Sequence, residues 1–114
     1  MNFIIHWTEF ANQDLNEIID YMINNGDIIN ARNIYKKIKE RCELLITIPD
    51  QGRIVPEFEK LNIKKYREII VNPWKIIYKV EKHEIYILVV IDGRRNTEEI
   101  LLEKITKNRT WISG

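Results

Sequence analysis

Residues 66–93 read YREIIVNPWKIIYKVEKHEIYILVVIDG, and the punctuation within that stretch decides the fold. Tyr66 to Val71 is a strand-like run and Asn72-Pro73 a turn. Trp74, Ile76, Tyr78 and Val80 then alternate with Lys75, Ile77 and Lys79. A period of two with one more polar face marks a strand lying between unlike surroundings. Lys82-His83 is a second tight turn. Ile85 to Ile91 is apolar throughout, as in a central strand covered on both faces, and Asp92-Gly93 ends it. The stretch is a meander of three antiparallel strands.

Upstream, residues 49–63 hold Pro49, Gly52 and Pro56 and read as a loop. Before it, Ile28, Ala31, Tyr35, Ile38, Cys42 and Leu45 recur at spacings of three and four, a helical seam widened by Ile34 and Ile48. Asp27 caps this helix and Pro49 closes it. Ala11, Leu15, Ile18, Ile19 and Met22 form the stripe of an earlier helix, capped by Thr8 and ended by Asn25-Gly26. Two helices joined by so short a turn lie antiparallel. Phe3 to Trp7 is a short strand expected at the sheet edge. Downstream, Asn96 and Glu99 stand in the relation of a capping box, and Ile100, Leu101, Leu102 and Ile105 make a last helix.

The order β-αα-βββ-α is an α+β domain: N-terminal edge strand, antiparallel helical hairpin, three-stranded antiparallel meander and C-terminal helix. Residues 1–106 form one domain and 107–114 a short basic tail. The helices cover one face of the meander. The other is expected to be free and to display Lys75 and Lys79, with Arg67 beside them from the neighbouring strand.

The chain has 114 residues, near the commonest size of a single domain. The apolar run Ile85 to Ile91 is far short of the roughly 20 residues of a transmembrane helix, so no membrane partner is expected. No signal peptide is expected either, since acids appear from Glu9 and no cleavage pattern follows an apolar stretch. Isoleucine at 23 positions, with no low-complexity tract, excludes disorder. One cysteine, Cys42, cannot make an internal disulfide, and with His6 and His83 it is a poor inventory for a metal. No Gly-rich phosphate loop is present. A cytoplasmic protein without metal or cofactor is expected. Its charge is uneven. Residues 1–31 carry five acids and no Lys or Arg; all 18 basic residues fall from Arg32 onward against 12 acids, a formal +6. A basic body suggests an anionic partner, while an ordinary solvated surface is the plainer reading.

Several segments in this order resemble the RelE/ParE superfamily of toxins from type II toxin–antitoxin systems. They are His6-Trp7-Thr8 leading into Ala11 and Asp14-Leu15, then Tyr21, Gly52-Arg53 and Pro56-Glu57. The most specific are Tyr66-Arg67-Glu68-Ile69-Ile70 followed by Trp74 to Val80, and Asp92-Gly93-Arg94-Arg95-Asn96. The resemblance runs from about Ile4 to Ile105. It implies a small growth-arresting toxin held inactive by a cognate antitoxin. It also implies one of two targets: RelE-like members cut mRNA on the ribosome, and ParE-like members poison DNA gyrase and cut nothing.

A metal-free nuclease needs a base for the 2′-OH, cations for the phosphate and an acid for the leaving oxygen. Arg53, Arg67, Lys75, Arg94 and Arg95 are candidate cations, expected in one basic zone with Lys79; the guanidinium fork suits phosphate. Glu57 resembles the carboxylate that some RelE relatives use as a base, and the plainer reading is a loop ion pair with Lys60 or Arg53. The acid is missing. His83 and the Arg94-Arg95 pair lie at opposite ends of a strand about 30 Å long. His6 reads as a packed or edge residue. Tyr66, Tyr78 and Tyr86 read as core-capping tyrosines, and the last helix offers neither Tyr nor His. The balance favours the gyrase branch. In a remoter alternative, Trp111 between basic residues stacks an RNA base.

Overall fold

The computed structural model describes residues 3–107. The elements are β1 (Ile4–Trp7), α1 (Glu9–Asn24), α2 (Ile28–Glu43) with a 3-10 turn at Leu44–Ile46, β2 (Arg53–Ile54), α3 (Pro56–Glu59), β3 (Tyr66–Val71), β4 (Trp74–Glu81), β5 (Glu84–Asp92) and α4 (Thr97–Lys107). The sheet order is β1-β5-β4-β3-β2. The meander is as expected. β3 and β4 turn at Asn72-Pro73, so Val71 pairs with Trp74, and β4 and β5 turn at Lys82, whose φ is +56°. β1 is an edge strand, parallel to β5 with His6 opposite Tyr86. A parallel neighbour needs a long connection, and the hairpin and meander supply it.

Two of the three predicted N-caps form. Thr8 Oγ1 accepts from the Ala11 N–H at 3.2 Å, and Asn96 Oδ1 accepts from the Glu99 N–H at 3.2 Å. Asp27 stands at the N-cap of α2 without a side-chain capping bond, and its Oδ2 accepts from Asn30 Nδ2 at 3.2 Å instead. Gly26, at φ +79°, turns the chain between the helices. The hairpin seam is narrower than its periodicity suggests: Ala31, Ile38, Cys42 and Leu45 are buried, while Ile28, Tyr35 and Ile48 are largely exposed. Regular α-helix also ends earlier, at Glu43, with the 3-10 turn carrying the chain toward Pro49.

Two expectations need correction. The segment 49–63 is not loop throughout. It contains β2, which pairs antiparallel with β3, and the single turn α3. The second face of the meander is not free either. One core lies between the hairpin and the first face, built from Leu15, Ile38, Leu45, Ile76, Tyr78 and Ile87 among others. A second lies on the opposite face, where Phe58 of α3 and Leu101 of α4 pack on Ile77, Leu88 and Val89. The pairing of β4 with β5 shifts between Ile77 and Tyr78, leaving Leu88 as an extra residue. That bulge lets Leu88 and Val89 both serve the second core. Lys79, expected on a free surface, is buried with its ammonium 2.7 Å from Glu81 Oε1.

Candidate functional site

The geometry of β2, β3 and β4 determines where the candidate cations go. Arg53 pairs with Glu68 across β2 and β3, and its Nε and Nη2 both lie 2.7 Å from Glu68 Oε2. Lys75, on the same face of β4, brings its Nζ to 4.0 Å from that oxygen. The Glu68 side chain is wholly buried, whereas that of Arg53 is 58% exposed. One carboxylate thus sits beneath two cations. Its other oxygen, Oε1, has no hydrogen-bond partner among the described residues.

The remaining cations do not join this group. Arg67 is one residue before Glu68, and alternation along a strand sends it to the opposite face. There it sits across from Tyr78 and donates to Gly52 O at 2.7 Å. The expectation that it shares a surface with Lys75 is therefore wrong. Arg94 folds back on Asp92, with Nε at 3.0 Å from Oδ1 and Nη2 at 2.9 Å from Oδ2. Their hydrogen bond lowers the Asp92 pKa and raises that of Arg94. Arg95 stands with Arg94 on a groove bordering α1 and α4. Glu57, on α3, makes neither ion pair open to it: Lys60 bonds Glu98 at 3.1 Å, and Arg53 bonds Glu68. Glu57 Oε2 is buried without a partner among the described residues.

The proton donors are similarly engaged. Burial pushes the Tyr66 phenol up to about 12. Tyr78, fully buried, donates to Pro49 O at 2.8 Å and accepts from the Gly52 N–H at 2.9 Å, and burial raises its pKa. A side chain at Gly52 would meet Glu68 O at 2.5 Å, so only glycine lets the backbone approach this closely. Tyr86 donates to Glu84 Oε2 at 3.1 Å, a bond that holds the phenol proton above its usual pKa. His6 Nε2 lies 3.0 Å from Glu84 Oε1, and the ring stacks on Tyr86 at 5.0 Å. The sequence placed His6 at the edge but missed this His6–Glu84–Tyr86 cluster. Only the parallel register of β1 on β5 creates it. His83 packs edge-on against Phe3 at 5.7 Å in the exposed turn. Among the described residues, no three His, Cys, Asp or Glu side chains are placed to hold a metal, and no helix is long and apolar enough to cross a membrane.

The groove has a volume of about 690 Å³, with Ile18, Met22 and Trp74 on its apolar wall and Glu17, Arg94 and Arg95 among its charged lining. Asp14 anchors it. Its Oδ2 accepts from the Val90 N–H at 3.0 Å, and Oδ1 lies 3.4 Å from Lys104 Nζ of α4. Burial, the largest influence, raises the Asp14 pKa against the opposing pull of Val90 and Lys104. At neutral pH the ionised carboxylate is therefore less favourable in the fold than the protonated one, and that difference is recovered as the pH falls through the raised pKa. Asp14→Ala should cost about 1–3 kcal/mol by orphaning the Val90 N–H. Wild type should gain stability relative to Asp14→Asn on acidification toward about pH 4. A series of melts in which the gap moves the other way would contradict this.

A family model described as the ParE toxin of the type II toxin–antitoxin system, parDE, matches residues 5–97. The fold is similar to a solved structure of the chromosomal ParDE TA system from P. aeruginosa, with a TM-score of 0.65. Sequence identity is 23%, over 79% of this chain and 95% of that one. No curated protein sequence matches the chain.

Proposed function

This chain belongs to the ParE toxin family of type II toxin–antitoxin systems, and from that premise we propose that it arrests growth by binding and poisoning DNA gyrase, with no catalytic chemistry of its own. The observation that carries this reading is the engagement of four of the five candidate cations, Arg53, Arg67, Lys75 and Arg94, by side chains and the backbone. Arg53 and Lys75 face one buried carboxylate, Arg94 is clamped by Asp92, and Arg67 is turned to the other face. The phenols of Tyr66, Tyr78 and Tyr86 all hold their protons more tightly than usual. A transition-state stabiliser must be preorganised toward the developing charge, and these groups are organised toward one another.

One observation favours the second reading, a RelE-like ribosome-dependent mRNA endonuclease. Glu57 keeps a buried carboxylate oxygen without a partner among the described residues, as a general base awaiting a substrate proton would. The variants separate the two. In a nuclease, Glu57→Gln should lower cleavage by about 10²–10⁴-fold, and Arg67→Ala or Arg94→Ala should each cost about 3 kcal/mol of barrier. On the gyrase reading, Glu57→Gln arrests growth as wild type does when expressed without antitoxin. Loss of toxicity from a folded Glu57→Gln would overturn that reading.

The cognate antitoxin is the partner that this function requires. The apolar wall of Ile18, Met22 and Trp74 suits the apolar face of an amphipathic segment, and the formal +6 of residues 32–114 favours an acidic one. Its association with the purified toxin should slow as salt rises from about 50 to 500 mM, where screening contracts to a few ångströms. An unchanged association rate would remove the electrostatic part of this proposal.

A further inference from the structure

We infer that Glu68 acts as a built-in substitute for phosphate: its carboxylate occupies the fork of Arg53 and the reach of Lys75, and so keeps nucleic-acid backbones off the exposed surface around Arg53 and Ile70. The inference rests on the reading of that surface as non-catalytic and goes on to assign the residue that makes it so.

The geometry of the Arg53–Glu68 contact is that of an anion clamp. Two guanidinium nitrogens meet one oxygen at 2.7 Å, and Lys75 Nζ stands 4.0 Å away. Guanidinium grips phosphate oxygens with the same fork. The anion lies underneath, its side chain wholly buried, while the cation is the part that meets solvent. A polyanion approaching this surface therefore finds Arg53 with its counter-charge already in place. Stability does not account for Glu68. It sits on the face of β3 that pairs with Ile77, and one of its oxygens is buried with no hydrogen-bond partner among the described residues. A buried ion pair is commonly no more stabilising than apolar residues of similar volume, and an orphaned polar atom adds a penalty. The surface nearby is open enough for a ligand, since Ile70, paired with Lys75, remains exposed.

The test is binding of the full chain to a labelled single-stranded oligouridylate across a salt series. Freeing Arg53, the exposed cation of the pair, should steepen the slope of log K against log salt by about 0.7, the value for one phosphate contact on a single strand; the Lys75 side chain is only 17% exposed. Glu68→Gln is expected to show that change with tighter binding, and Arg53→Ala added to it is expected to abolish it. Glu68→Leu, of similar volume and uncharged, should behave as Glu68→Gln and serves if that variant folds poorly. In the wild-type background Arg53→Ala should leave the slope unchanged, a measurement that needs no change at Glu68. An unaltered slope in folded Glu68→Gln or Glu68→Leu would overturn the inference alone. So would a gain that Arg53→Ala fails to reverse, or a slope already dependent on Arg53 in wild type. Site-specific mRNA cleavage by the wild-type chain on ribosomes would overturn both this inference and the non-catalytic reading beneath it.

Discussion

Leu15→Ala and Ile38→Ala should each lower the stability of the domain by about 2–5 kcal/mol. Both side chains are fully buried in the core between the hairpin and the sheet, Leu15 from α1 and Ile38 from α2. Truncation there removes transfer free energy and leaves a cavity that close-packed neighbours fill only in part. For a domain with about 5–15 kcal/mol in hand, the loss is a large fraction of the total. At roughly 4 °C per kcal/mol for a chain of this length, either variant should melt about 8–20 °C lower. Ile29→Ala is the matched control. It lies on the same helix as Ile38 but is 79% exposed, and its change should stay within about 0.5 kcal/mol. Equal melting points for Leu15→Ala, Ile38→Ala and Ile29→Ala would contradict the packing described.

That core was legible because its signals are local. A stripe at three and four, Thr8 before it and Asn25-Gly26 after it specify a helix without knowledge of the rest of the chain. Alternation at Trp74 to Val80 does the same for β4. What the sequence did not show depends on contacts between distant segments. β2 is two residues long, too short to carry a period, and exists only because β3 offers it an edge. Ile100, Leu101 and Leu102 mark a helix but not the surface on which it docks. The second core was invisible for that reason, and with it the burial of Lys79.

The arrangement of the candidate residues was only partly legible. Arg53 of β2 and Lys75 of β4 do meet, at Glu68, yet counting cations did not reveal that they were already facing a carboxylate. A signal for the pairing was present. The turn at Asn72-Pro73 sets Val71 opposite Trp74 and so puts Glu68 on the face of Lys75 and Arg67 on the other. Followed strand by strand, that register separates Arg67 from the group and brings the carboxylate into it. The His6–Glu84–Tyr86 cluster had no such signal, because a parallel pairing across nearly the whole chain leaves no mark on local spacing.

The largest functional effect should appear with gyrase. On the proposed reading, supercoiling by purified gyrase should be inhibited by the chain, with gyrase-dependent DNA breaks accumulating. Inhibition should be relieved by the cognate antitoxin and insensitive to Glu57→Gln. A nuclease losing its general base would drop about 10²–10⁴-fold, so the two readings differ by far more than the error of either assay. A gyrase-binding toxin requires a contact surface, and its sensitive positions should cluster as an interface rather than around Arg53, Glu68 and Lys75. The most direct measurement places the purified chain with supercoiling gyrase in one tube and with translating ribosomes in another. Inhibited supercoiling alongside intact mRNA is the predicted result; site-specific mRNA cuts with supercoiling unaffected would contradict the account.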